Sequence, residues 1–384
     1  MLTLRRDGSL HQGLDDYRRL NRYLLPSGKG DQRCRASLPG WYPSLHAMRK
    51  VLVIVAVCCL MNIIAVWNID QYKEIKDMIF RSIPFNALRY HLTLQSKTEE
   101  FLYLMKGTNR SLTVVTALFN IGSFAKGTVD QIRTPGDYRF WLKTFQYLNN
   151  PVVFFTDNMT YVDSFVALRK NVSHLTEVVY INRSVLWAFN IIPEIKKIYC
   201  TPGYPRHYPN TFIPEYTSLT HSKQQVLANA VNEYPFDTDF YCWLDVGYFR
   251  DTVYSERKFW MEVPDDFNKS SIGVTQVYQS DLERTNASTI ILGNLNWIGG
   301  GLFLGKPEVI LKFHDQYKKA VMRYLSQGLM NVEQHIIYAM YTKSEREKYP
   351  IDVEVQLYIP GQKRVRNGNP WFYLGYLMYK EEPN

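Results

Sequence analysis

Residues 51–69 read VLVIVAVCCLMNIIAVWNI, nineteen positions without a charge, flanked by Arg49 and Lys50 on one side and Asp70 on the other. As a helix this run rises about 28 Å, close to the roughly 30 Å hydrocarbon thickness of a bilayer. Helices buried in a soluble core rarely stay uncharged for so long. Fifty residues precede it, far too many for the n-region of a cleaved signal peptide, so a signal anchor is expected. Trp67 falls where an interfacial ring would sit.

Charge and sequons orient the span. The chain has 384 residues and a formal charge of +9. Residues 1–50 hold ten Lys or Arg against four Asp, so this basic tail accounts for +6 and leaves only +3 for the rest. The high pI is therefore a tail effect and no nucleic-acid partner is expected, while the tail fits the cytosolic side. N-x-S/T acceptors begin at Asn109, Asn158, Asn171, Asn182, Asn268 and Asn286, all beyond the apolar run, as a luminal glycoprotein domain requires. A single-pass type II membrane protein of the Golgi or endoplasmic reticulum is expected: tail 1–50, anchor 51–69, stem 70–110 and luminal domain 111–384. Of five cysteines, only Cys200 and Cys242 would meet an oxidising lumen. They form one disulfide or remain two buried thiols.

Beyond residue 110, short apolar runs alternate with helical patterns. Strands are expected at Leu112–Phe119, Val152–Thr156, Glu177–Ile181, Phe240–Leu244 and Ile272–Val277. Helices are expected over Tyr138–Leu148, Val162–Lys170 and Leu219–Tyr234. This alternation indicates an α/β domain with a mainly parallel sheet.

Ligands of such sheets lie outside the carboxyl ends of the strands. Three ends carry polar residues: Asn120-Ile121-Gly122, Thr156-Asp157-Asn158 and Asp245-Val246-Gly247-Tyr248. Acidic groups there suit ribose hydroxyls or a hard cation, although Asp and Gly are also ordinary turn formers. Asp245 could hold a divalent cation bridging a diphosphate. Gly247 stands two positions on, where a second carboxylate would be wanted. In NWIGGGLFLGK, Gly299, Gly300 and Gly301 follow Trp297 and mark close backbone approach, to a ligand or to a crossing element. Glu333 opens a helix over Val332–Tyr341, as a capping charge or as a group that orients or deprotonates an acceptor hydroxyl. Zinc spacing, a dinucleotide fingerprint, a P-loop and a Ser-His-Asp set are all absent from the sequence.

Taken together, TVVTALFNIG, VVFFTDN, the SKQQVLANAVNEYPFDTDFYCWLDVGYFR block, WIGGGLFLG and NVEQHIIYAMY resemble the HtrL/YibB family over roughly Leu112 to Leu377. That family looks like a branch of glycosyltransferases with the GT-A fold, a nucleotide-diphospho-sugar transferase architecture. The resemblance implies that Ala117, Phe119 and Asp157 face the nucleotide. Asp245 would take the first position of a DxD element holding Mn2+, and Lys223 or Arg250 would offset diphosphate charge. The glycine run with Trp297, and Glu333, would face donor sugar and acceptor. Gly247 departs from DxD, and the last histidine is His335, so no C-terminal histidine completes a metal site. The expected activity is sugar transfer from a nucleotide sugar to a luminal glycan or protein. The alternative is a non-catalytic luminal binding protein with the same fold.

Overall fold

The computed structural model describes the backbone of residues 89–90 and residues 112–126, 131–233, 236 and 238–382. The expected anchor, the cytosolic tail, Asn109 and nearly all of the stem lie outside the described residues. No described helix is long and apolar enough to cross a membrane.

In chain order the strands are β1 (Arg89–Tyr90), β2 (Leu112–Leu118), β3 (Phe124–Ala125), β4 (Ile132–Arg133), β5 (Val152–Thr156), β6 (Thr176–Tyr180), β7 (Phe240–Leu244), β8 (Phe259–Met261), β9 (Ser271–Thr275), β10 (Leu302–Gly305), β11 (Glu354–Tyr358) and β12 (Tyr379–Glu381). The principal helices are α1 (Pro135–Trp141), α2 (Met159–Leu168), α3 (Ile192–Tyr199), α4 (Pro214–Glu233), α5 (Ala287–Gly293), α6 (Pro307–Ser326), α7 (Glu333–Met340) and α8 (Tyr373–Met378). Eight strands form one sheet in the order β1-β6-β5-β2-β7-β10-β9-β11. β6, β5, β2 and β7 run parallel, β10 is antiparallel to both β7 and β9, and β11 returns parallel to β9. The molecule is a mixed α/β domain around a sheet whose centre is parallel.

That centre explains the uninterrupted apolar runs. All five residues of β5 and of β7 are buried, because helices cover both faces. Successive side chains alternate between two cores. Val115, Val153, Phe155 and Trp243 pack on one face with α3, α4, α6 and α7. Val114, Val152, Phe154, Cys242 and Leu244 pack on the other with α2 and α8. The chain moves outward from β2 through β5 to β6, then re-enters beside β2 as β7. Where the strand order reverses, the loops after β2 and β7 diverge and open a crevice at the carboxyl edge.

Two expectations are corrected. Cys242 is a free, fully buried thiol, so no Cys200–Cys242 disulfide exists. The reason is the pleat: Cys242 faces the α2 and α8 side, whereas Cys200 ends α3, which packs on the opposite face. Burial pushes the Cys242 thiol above its ordinary value. The helix expected over Tyr138–Leu148 is instead α1, capped by the reciprocal Thr134–Asp137 box, followed by a 3₁₀ segment at Leu142–Gln146. Within the expected stem, Arg89–Tyr90 form an edge strand on β6.

Candidate functional site

The crevice beside β2 and β7 is a cavity of about 580 Å³. Each contributor arrives from a different element. β2 and the loop after it supply Ala117 and Phe119, Asp245 follows β7 directly, and α4 presents Lys223 from its interior. The chain entering β10 supplies Gly300 and Gly301, and α7 begins with Glu333.

At the floor, one ammonium joins two carboxylates. Lys223 Nζ lies 2.9 Å from Asp245 Oδ1 and 2.9 Å from Glu333 Oε1, and it donates to the Gly300 carbonyl oxygen at 2.8 Å. Three N–H donors thus meet three acceptors. Burial alone would lower the Lys223 pKa, but Asp245 and Glu333 outweigh it and hold the group above its ordinary value. The side chains of Lys223 and Glu333 are 7% and 3% exposed, whereas that of Asp245 is 37% exposed, so Asp245 is the carboxylate that meets solvent. The Trp243 indole Nε1 donates to Asp245 Oδ1 at 2.7 Å, and the Asp245 backbone N–H donates to the Gly301 carbonyl at 2.9 Å. Residues two apart on a strand share a face, which brings Trp243 beside Asp245.

The glycines make this floor possible. A Cβ on Gly300 would stand 2.1 Å from Glu333 Oε1, and one on Gly301 would stand 3.0 Å from the Tyr248 ring. Their close partners are side chains of the protein itself. Gly299 lies under the Trp371 carbonyl, outside the cavity wall. Trp297 is 2% exposed and packs against Tyr338 and Tyr341 in the core, so the structure does not bring it to the cavity.

Toward the mouth the lining is aromatic and cationic. The Arg250 guanidinium lies 4.7 Å from the Phe372 ring centroid and 5.7 Å from that of Trp141, and Arg133 is 5.5 Å from Trp141. Lys126 Nζ lies 5.7 Å from Tyr216. Arg133 and Arg250 form no ion pair among the described residues. Burial, then the neighbouring Arg133 charge, lowers the Arg250 pKa. Cations held on aromatic faces without carboxylate partners are equipped to take an anion.

Asp157 falls outside the cavity wall. It pairs with Arg183 and accepts from the Asn120 N–H at 3.4 Å, while Arg183 donates to the Asn120 carbonyl at 3.0 Å. This clamps the loop after β2. Of the residues expected at the site, Ala117, Phe119, Lys223, Asp245, Arg250, Gly300, Gly301 and Glu333 line one cavity, and Asp157, Trp297 and Gly299 do not. Sequence reading missed Lys126, Arg133, Trp141, Trp243 and Phe372. Only Trp243 carried a signal, its two-residue spacing from Asp245. The others come from a hairpin, a short helix and the C-terminal region, with no fixed spacing to find them by.

A divalent cation of the DxD kind does not fit these residues. A Cβ at Gly247 would stand 2.7 Å from the Trp141 ring, so position 247 cannot add a carboxylate unless that indole moves. The inner oxygens of Asp245 and Glu333 are both bound to Lys223. No group of three or more His, Cys, Asp or Glu among the described residues is arranged to hold a metal ion.

Residues 110–348 match the model of a family described as bacterial proteins of unknown function, HtrL_YibB. The chain belongs to this family. The match includes β2, β7, β10 and the start of α7, and so the whole Lys223 floor of this HtrL_YibB chain. The C-terminal residues Trp371 and Phe372 lie beyond it. No curated protein matches the chain. Among solved structures, the apo crystal structure of mouse xyloside xylosyltransferase 1 is similar at a TM-score of 0.32 and 10% identity, covering 64% of this chain and 84% of that one. A likeness of that size carries no argument.

Proposed function

We propose that this chain is a glycosyltransferase of the GT-A type that moves a sugar from a nucleotide-sugar donor to a hydroxyl of a luminal glycan or protein. The observation carrying this reading is Asp245: a half-exposed carboxylate, fixed from behind by Lys223 and Trp243, at the sheet's switch point and within one cavity with two guanidiniums that form no ion pair among the described residues. Donor phosphates belong at the cationic mouth. There Arg133 and Arg250 offset the charge that grows on the diphosphate as the glycosidic bond breaks. Bases and sugar rings find flat apolar faces on Trp141, Tyr138 and Phe372. Asp245 Oδ2 accepts from a sugar hydroxyl and stands where a general base is needed. Glu333 is too enclosed to meet an acceptor and is read here as a positioning residue, acting on Asp245 through Lys223.

The membrane layout belongs to the same proposal: a basic cytosolic tail, a single anchor and a luminal domain in the Golgi or endoplasmic reticulum. Asn171, Asn182, Asn268 and Asn286 are exposed, as acceptors of N-linked glycan need to be. Asn158 is part-buried and uses its side-chain oxygen to cap α2.

The test is nucleotide release by the full-length chain, in detergent, from a panel of nucleotide sugars with candidate acceptors. Release from one donor is expected, and Asp245→Asn should lower it at least about a hundredfold with the folded state intact. Full activity in Asp245→Asn would remove that residue from the chemistry. A folded chain that binds nucleotide but never turns over would establish a binding protein instead.

A further inference from the structure

We propose that the Lys223 ammonium is the resident counter-cation of this site, occupying the seat between Asp245 and Glu333 that a divalent metal ion would otherwise take. Its phosphate-bearing ligand is then held directly by protein cations. The part concerning phosphate rests on the glycosyltransferase reading; the part concerning the cation seat does not.

The geometry argues for a permanent occupant. Lys223 comes from the interior of α4, a 20-residue helix packed against the sheet, and reaches its seat with the side chain 7% exposed. Its three N–H groups are matched by Asp245 Oδ1, Glu333 Oε1 and the Gly300 carbonyl at 2.8 to 2.9 Å. Leaving this seat would strand the buried Glu333 carboxylate beside Asp245 with no counter-charge. The seat is also shaped for this arrangement. Any side chain at Gly300 would collide with Glu333, and a carboxylate at position 247 would collide with Trp141. With one positive charge between two negative ones, the floor keeps a net charge of about −1, too little to recruit a hard dication that favours several oxygen ligands. Arg133 and Arg250, both against Trp141 and in no ion pair among the described residues, are left to meet the phosphates.

Deleting this cation should create a metal site. Mn2+ is titrated into the full-length chain without nucleotide, following the paramagnetic signal of the free ion. Wild type is expected to show no site tighter than roughly millimolar. Lys223→Ala, which leaves Asp245 and Glu333 facing each other, should bind Mn2+ at least about tenfold more tightly than wild type. Stoichiometric micromolar binding by wild type that disappears in Asp245→Asn overturns the proposal. So does a folded Lys223→Ala chain that gains no affinity. Should Lys223→Ala not fold, the wild-type titration with its Asp245→Asn control decides alone.

UDP is then titrated in EDTA and in Mn2+. Affinities equal within about twofold support direct phosphate binding, and a tenfold loss in EDTA overturns it. Absence of UDP binding in both conditions counts against the nucleotide reading and leaves the cation seat to the Mn2+ titration.

Discussion

Asp245 carries two oxygens in different company. Oδ1 accepts from the Trp243 indole and the Lys223 ammonium, and the side chain as a whole remains 37% exposed toward the cavity. A carboxylate held in this way has one orientation and little freedom to rotate, which is what positioning contributes to a chemical step. Trp243→Phe removes the indole N–H that holds Asp245 Oδ1 and leaves a smaller aromatic ring in its place in the core. Activity is expected to fall about tenfold through kcat, while the smaller ring costs about 1 to 2 kcal/mol of stability, read separately from the urea midpoint. A change in KM alone would show that Trp243 shapes binding instead. At the opposite side of the floor, Gly300 has an ordinary negative φ, and its need is space: a Cβ has nowhere to go beside Glu333.

Among the elements, α8 and the loop after β7 are locked through a single ring. Tyr248 lies between Gly301 and Gly375, its hydroxyl accepts the Gly375 N–H at 3.0 Å, and the next N–H back, that of Leu374, binds Thr275 Oγ1 at 3.0 Å. A Cβ at Gly375 would stand 2.1 Å from Tyr248 Cε1. Gly375→Ala should therefore cost about 3 kcal/mol, read as a lower denaturation midpoint in urea at unchanged slope. It should also weaken ligand binding, because α8 follows directly on Trp371 and Phe372 of the cavity wall. Wild-type stability in this variant would mean that the helix can slide off the ring. The central strands were legible in advance because β2, β5 and β7 are buried on both faces and so carry no charged residue. β10 was not, being four residues long and ending on a glycine. β11 lies at the sheet edge with mixed burial, so its pattern is diluted.

At the scale of the whole molecule, stability depends on two histidines that must stay neutral. His221, on α4, and His335, on α7, are both fully buried, and burial pushes each pKa down to about 3. In the unfolded chain they titrate near 6.5. The folded state therefore binds fewer protons, so stability is level above pH 6.5 and falls as pH drops toward 3. The slope is about 1.4 kcal/mol per pH unit for each histidine. Between pH 7.5 and 5.5 the two together should cost about 3 kcal/mol, measurable as a fall in the urea midpoint. An unmoved midpoint would mean that one or both accept a proton inside the fold.

The sequence by itself determined the central parallel strands, their alternation with helices and the candidate carboxylate Asp245. Each of these is local: a buried strand announces itself within five residues, and Asp245 sits directly at the end of one. It also determined the family, through blocks of contiguous residues. Only the tertiary structure decided what surrounds Asp245. Lys223 and Glu333 meet across 110 positions of chain, and Gly247 is kept bare by an indole more than a hundred residues earlier. The same holds for the cysteines: whether Cys200 and Cys242 could meet depended on which face of the sheet each occupied. Spacing along a chain records neighbours on one strand or helix. The charge balance of a cavity is set by residues that only folding brings together.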